Sequence, residues 1–116
     1  MRLLPIDRAE HLIARHASTG AHATRLAAGV GSYHLTCLSI GAGGTIGTHP
    51  APVEQLFLVI GGEGWISGPD GVRVPVSAGT AVLWSIGEEH TSGTDTHLTA
   101  LALEGPGLTV FEHEDY

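Results

Sequence analysis

The chain's capacity for chemistry rests largely on its eight histidines, since imidazole titrates near neutral pH and is the commonest metal ligand. His11, His16, His22 and His113 fall in an expected helix, a loop and a tail, and read as solvated. His34 and His97 sit in or beside strand-like runs, where either ring could point inward, although an ordinary strand position is the plainer reading. His49 and His90 stand apart because each lies in a stretch punctuated by glycine: GGTIGTHPAPVEQLFLVIGG (43–62) and GTAVLWSIGEEHTSGT (79–94). The single Cys37 cannot form an internal disulfide and reads as a small core residue. Glu88 and Glu89 precede His90 in a turn and read as solvated. Glu54 neighbours Gln55 and so faces the opposite way in a strand, unless a bulge rotates it. Trp65 and Trp84 each suit either core packing or a cavity wall that stacks on a planar or sugar-like ligand.

These residues are carried on a pattern that is mostly β. Seventeen glycines are spread along the 116 residues rather than gathered in a linker, and they separate short apolar runs. SYHLTCLSI (32–40) is strand-like, and QLFLVI (55–60) is apolar at almost every position, as in a strand buried on both faces. On period two, Gln55, Phe57 and Val59 share one face, and Leu56, Leu58 and Ile60 the other. GGEG (61–64) is expected to end that strand and WIS (65–67) to begin the next. After the turn signal Gly68-Pro69-Asp70-Gly71 come VRVPV (72–76), with Val72, Val74 and Val76 on one face, then AVLWSI (81–86) and LTALALE (98–104). Only residues 7–17 suggest a helix: Asp7 and Glu10 resemble a capping box, and Ile6, Ala9, Leu12, Ile13 and His16 recur at helical spacing.

Composition narrows the partners. With hydrophobic residues at 42% and charged residues at 15%, the chain can form one real core but not two. Five Lys and Arg against a net charge of −7 cannot build the basic stripe that nucleic acid or an anionic membrane needs. No apolar run approaches the roughly 20 residues of a membrane span, and charges fall where a signal peptide needs apolar residues. The expectation is a cytoplasmic protein with a small-molecule ligand, no nucleic acid and no membrane. GAGG (41–44) is not followed by a helical pattern and reads as a turn rather than a nucleotide loop.

The two glycine-punctuated stretches resemble the two motifs of the cupin family. The first motif is Gly, five residues, His-x-His, three residues, Glu, six residues, Gly; here Gly43, His49, Ala51, Gln55 and Gly62 occupy those places. The second is Gly, five residues, Pro-x-Gly, two residues, His, three residues, Asn; here Gly79, Ser85, Gly87, His90 and Thr94 do. Sixteen residues separate Gly62 from Gly79. The resemblance implies an all-β, double-stranded β-helix (jelly-roll) barrel over 30–104. A short N-terminal helix and lead-in over 1–29 would precede it, and a tail over 105–116 would follow.

In metal-binding cupins the motif histidines and glutamate converge inside the barrel. The resemblance therefore implies a divalent ion (Fe, Mn, Ni or Zn) on His49, Gln55 and His90, with His34 or His97 as replacements for the ligand missing at Ala51. Ala51 would leave an open position for substrate oxygen or O2, as an oxygenase, isomerase or lyase requires. This set lacks a carboxylate, which lowers its affinity for an ion. The second reading of these residues is a metal-free binding or sensing module, and the third is acid/base catalysis by paired histidines. Phe57, Trp65, Trp84 and His34 are the expected substrate-pocket residues. The apolar face of Leu56, Leu58 and Ile60 needs a cover, and a homodimer is the expected one, since cupins commonly pair through their sheets.

Overall fold

In the computed structural model the described residues are 1–5, 11–12, 17, 19, 22–23 and 26–111. The strands are β1 (Arg2–Pro5), β2 (His11–Leu12), β3 (His22–Ala23), β4 (Ala27–Ala28), β5 (His34–Ile40) and β6 (Thr45–Pro50). They continue with β7 (Gln55–Ser67), β8 (Arg73–Ser77), β9 (Thr80–Trp84), β10 (Glu89–Glu104) and β11 (Thr109–Val110).

Two long strands organise the molecule. β7 and β10 pair antiparallel along most of their lengths, from Gln55 opposite Glu104 to Ser67 opposite Thr91. The first half of β7 also pairs with β9, and its second half with β8. The second half of β10 pairs with β5, and its first half with β6. Two layers result that share the long strands: β1-β9-β7-β10-β5 on one side and β8-β7-β10-β6 on the other. A sheet that turns on itself in this way keeps one face for an interior and gives the other to solvent or to a cover.

Alternation along the strands sorts the apolar side chains into two clusters. Phe57, Val59, Val82, Trp84, Leu98 and Ala100 face the interior with Ile40, Ala51, Ile66 and Val76. Leu56, Leu58, Ala81 and Leu83 face outward and pack with Leu108. Partly buried Leu4, Leu26, Tyr33, Leu101 and Leu103 complete that outer cluster. Leu56 and Leu58 are thus buried within the chain, while Ile60 remains 48% exposed.

Three sequence expectations need correction. GGEG (61–64) does not end a strand, because β7 runs through it without a break. Its glycines permit close backbone approach instead: a Cβ at Gly62, where φ is 73°, would lie 2.1 Å from the His97 carbonyl oxygen, and one at Gly64 would lie 2.2 Å from that of Gly93. Val72 lies before β8, 60% exposed, with its amide donating to the Asp70 carboxylate at 2.9 Å. The helix over 7–17 is not borne out. His11–Leu12 pair with His22–Ala23 as a two-residue ladder, which uses the backbone groups a helix would need there. Residues 7–10 and 13–16, and the tail from 112 to 116, lie outside the described residues. A helix of so few turns is marginal without a packed face, so local periodicity alone does not secure it.

Candidate functional site

Three of the motif glycines, Gly43, Gly79 and Gly87, lie in turns, and Gly62 lies within β7. Gly43, Gly62, Gly79 and Gly87 all have positive φ, between 73° and 98°, which explains why their spacing is legible as a motif. Ser85, Ile86 and Gly87 carry the chain from β9 to β10, with the Glu88 amide donating to the Ser85 carbonyl and the Glu88 carboxylate accepting from the Ser85 amide, both at 3.0 Å. Burial works to raise the Glu88 carboxyl pKa. The Met1 ammonium at 2.8 Å and the Ser85 amide outweigh it and hold the group below its ordinary value. Thr94, in the place of the family asparagine and 2% exposed, donates its hydroxyl to the Glu63 carbonyl at 2.6 Å and accepts from the Thr96 amide at 3.1 Å.

His49 on β6 and His90 on β10 are directly opposite each other in the ladder. Their ring centroids are 4.4 Å apart, and Trp84 stacks on His90 at 4.7 Å and 17°. Each ring is oriented by the carbonyl two residues earlier: His49 Nδ1 lies 2.7 Å from Gly47 O, and His90 Nδ1 lies 3.0 Å from Glu88 O. A carbonyl oxygen only accepts, so in the neutral rings Nδ1 carries the proton and Nε2 the lone pair. No described protein group bonds either Nε2.

Both histidines line a cavity of about 300 Å³ inside the barrel, together with Gln55, Phe57 and Trp84. Among the described residues its remaining polar lining is Thr36, Ser92 and Glu104; Leu38, Ile46, Pro52, Ile66 and Ala102 supply apolar walls. Glu104 is a site residue that the sequence reading missed. It closes β10 opposite Gln55, whose Nε2 donates to its Oε2 at 3.1 Å. Strand parity could have found it, because Ala100, Ala102 and Glu104 alternate on one face and the first two face inward.

Trp65 and His34, expected in this pocket, are not among its lining residues. A register shift sits where Val59 opposes Ala100 and Gly61 opposes Thr99, so Ile60 is an extra residue on β7. Such a bulge reverses the in-out alternation beyond it. Ile66 therefore faces the core with no exposure, while Trp65 faces outward beneath the Arg73 guanidinium, 3.8 Å from its ring centroid. Trp65 instead lines a separate cavity of about 460 Å³ with Glu63, Thr80 and Asp95. His34 is exposed at the start of β5, and His97 is exposed opposite Glu63. Cys37 is exposed rather than in the core, because it lies between Thr36 and Leu38, the β5 residues that face the cavity.

A resident divalent ion does not fit this donor set. Ala51 leaves no open position: it is 1% exposed within the core cluster, its amide donates to Glu88 O at 3.0 Å, and its carbonyl accepts from Gly87 at 2.7 Å. The Gln55 amide nitrogen donates to Glu104 and leaves only a neutral carbonyl oxygen, and among the described residues no three His, Cys, Asp or Glu side chains are grouped to hold a metal. Two imidazoles and one neutral amide oxygen, with no carboxylate grouped beside them, are a poor donor set for a divalent ion.

Burial is the main cause that lowers the His90 pKa; the nearby His49 adds to the effect, while the Glu88 carbonyl and the carboxylates of Glu88 and Glu104 oppose it. An unfolded histidine titrates near ~6.5. Because the folded value lies lower, the unfolded chain takes up this proton first as pH falls. The stability contributed by neutral His90 is complete above ~6.5 and erodes as pH falls through the folded value. Urea melts from pH 8 to 5 should show wild type losing stability on acidification more steeply than His90→Asn. Parallel curves would contradict this.

No family model and no curated protein matches the sequence. The fold is nevertheless shared with solved structures. A cupin superfamily protein from Desulfitobacterium hafniense matches at TM-score 0.60 and 14% identity, covering 91% of this chain and 99% of its own. A cupin-2 domain protein from Shewanella frigidimarina matches at TM-score 0.56 and 18% identity, with 66% and 74% coverage. A DMSP lyase from Ruegeria pomeroyi matches at TM-score 0.59 and 21% identity over 73% of this chain, but only 46% of the lyase. At these identities the likeness is one of fold: the chain is an all-β double-stranded β-helix.

Proposed function

We propose that this cupin-fold domain binds a small organic molecule inside its barrel without a resident metal ion. The observation that carries this reading is the convergence of His49, Gln55, His90 and Glu104, drawn from β6, β7 and β10, on one largely apolar cavity. Such a pocket combines a few placed polar groups with apolar walls, the usual composition of a small-molecule site. Its volume of about 300 Å³ corresponds to roughly ten water-sized volumes, enough for a single-ring metabolite. His90 is only 5% exposed with its Nε2 open, so a ligand donor there would satisfy a buried acceptor that is costly to leave unpaired.

The oxygenase, isomerase and lyase readings built on an ion are less well supported, because the donor set does not fit one. Acid/base chemistry by the facing imidazoles keeps one observation in its favour: His90 is held neutral by burial with a free lone pair, as a general base requires. The binding reading is tested by thermal melting of dialysed protein with EDTA and with added Mn, Fe, Ni or Zn. The melting temperature is expected to be the same throughout. A loss with EDTA that one of these ions restores would contradict the metal-free site.

A further inference from the structure

The cavity's polar groups are unbalanced in a way that selects a ligand. Acceptors dominate: Nε2 of His49, Nε2 of His90, the Gln55 carbonyl oxygen, and the Glu104 carboxylate, of which one oxygen already accepts from Gln55. The donors among the described lining residues are the Thr36 and Ser92 hydroxyls, which also accept, the remaining Gln55 N–H and the Trp84 indole N–H. Among the described residues no Lys or Arg lines the cavity, and none of them supplies Glu104 with a counter-charge. The two Nε2 atoms cannot satisfy each other, because both neutral rings commit their single N–H to a backbone carbonyl.

We propose that the barrel cavity selects a small organic cation, an ammonium group carried on an apolar body. This rests on the reading of the cavity as a metal-free small-molecule site. An ammonium brings donors for an open imidazole acceptor and a positive charge for the Glu104 carboxylate. Its apolar body packs on Leu38, Ile46, Phe57 and Ile66. An anion would face Glu104 with no compensating cation among the described residues. A purely apolar ligand would leave His90 buried and unpaired.

The test uses calorimetric titration of the full chain at pH 8 with benzylammonium, benzyl alcohol and benzoate, three probes of nearly one shape and different charge. Benzylammonium should bind most tightly and benzoate least. Glu104→Gln, checked for folding by circular dichroism, keeps a partner for Gln55 but removes the charge. It should weaken benzylammonium by about ten- to a hundred-fold, the value of a hydrogen bond to a charged group, and weaken the uncharged benzyl alcohol clearly less. Benzyl alcohol or benzoate binding as tightly as benzylammonium, or a Glu104→Gln variant that binds benzylammonium undiminished, overturns the cation preference while leaving the cavity a small-molecule site. Failure of all three probes overturns both readings.

Discussion

Trp84→Ala is expected to destabilise the domain by about 3–5 kcal/mol, the range for removing a buried aromatic from a packed core. Trp84 is 1% exposed, is the largest of the fully buried side chains and packs within the interior cluster. For a domain of this size the loss corresponds to a fall in melting temperature of roughly 10–30 °C. The same substitution should loosen His90, because the indole stacks on its imidazole at 4.7 Å. Trp65→Ala is the control. Trp65 is half-buried on the outward face, so its loss should be clearly smaller. Thermal melts of the two variants check the assignment of one tryptophan to the interior and the other to the surface. Equal losses would contradict it.

Gln55→Glu is expected to destabilise the protein by about 1–3 kcal/mol at neutral pH, because it sets two carboxylates against each other in a partly buried site. The wild-type amide donates to Glu104 at 3.1 Å, and a carboxylate at position 55 would have no proton to donate. One of the pair would take up a proton more readily than an ordinary glutamate. The folded variant would then bind more protons than the unfolded one, so its deficit relative to wild type should shrink as pH falls from 8 towards 5. Melting both proteins across that range measures this directly. A variant as stable as wild type at pH 8 would show that Gln55 and Glu104 are not coupled. A variant whose melting temperature rises with Mn, Fe, Ni or Zn would revive a metal site.

What could be read from the sequence and what could not divide along a physical line. The two motifs were legible because their glycines are dictated by backbone geometry, each at positive φ, three in turns and Gly62 within β7, and such positions leave a fixed spacing in one dimension. The two faces of QLFLV were legible because strand alternation is strict where no residue is inserted. Trp65 was misplaced because the bulge at Ile60 has no signature in an apolar run, and one inserted residue reverses everything beyond it. Glu104 was missed because its contact with Gln55 spans 49 residues and depends on the register of β7 against β10. Ala51 looked like a vacancy in the sequence, whereas packing and two backbone hydrogen bonds close it in the structure. Capping and periodicity suggested a helix over 7–17, but such signals weigh little in a segment of so few turns.

The central claim is that His49 Nε2, His90 Nε2 and Glu104 face one cavity that takes a small molecule and not a resident metal ion. An electron-density map of the barrel interior from crystals of the purified protein, with anomalous data collected above the Mn, Fe, Ni and Zn absorption edges, tests it most directly. The account predicts ordered water or a small organic molecule within hydrogen-bond distance of both Nε2 atoms, and no anomalous peak. An anomalous peak at about 2.0–2.2 Å from both nitrogens, the range of metal–ligand bonds, would contradict it.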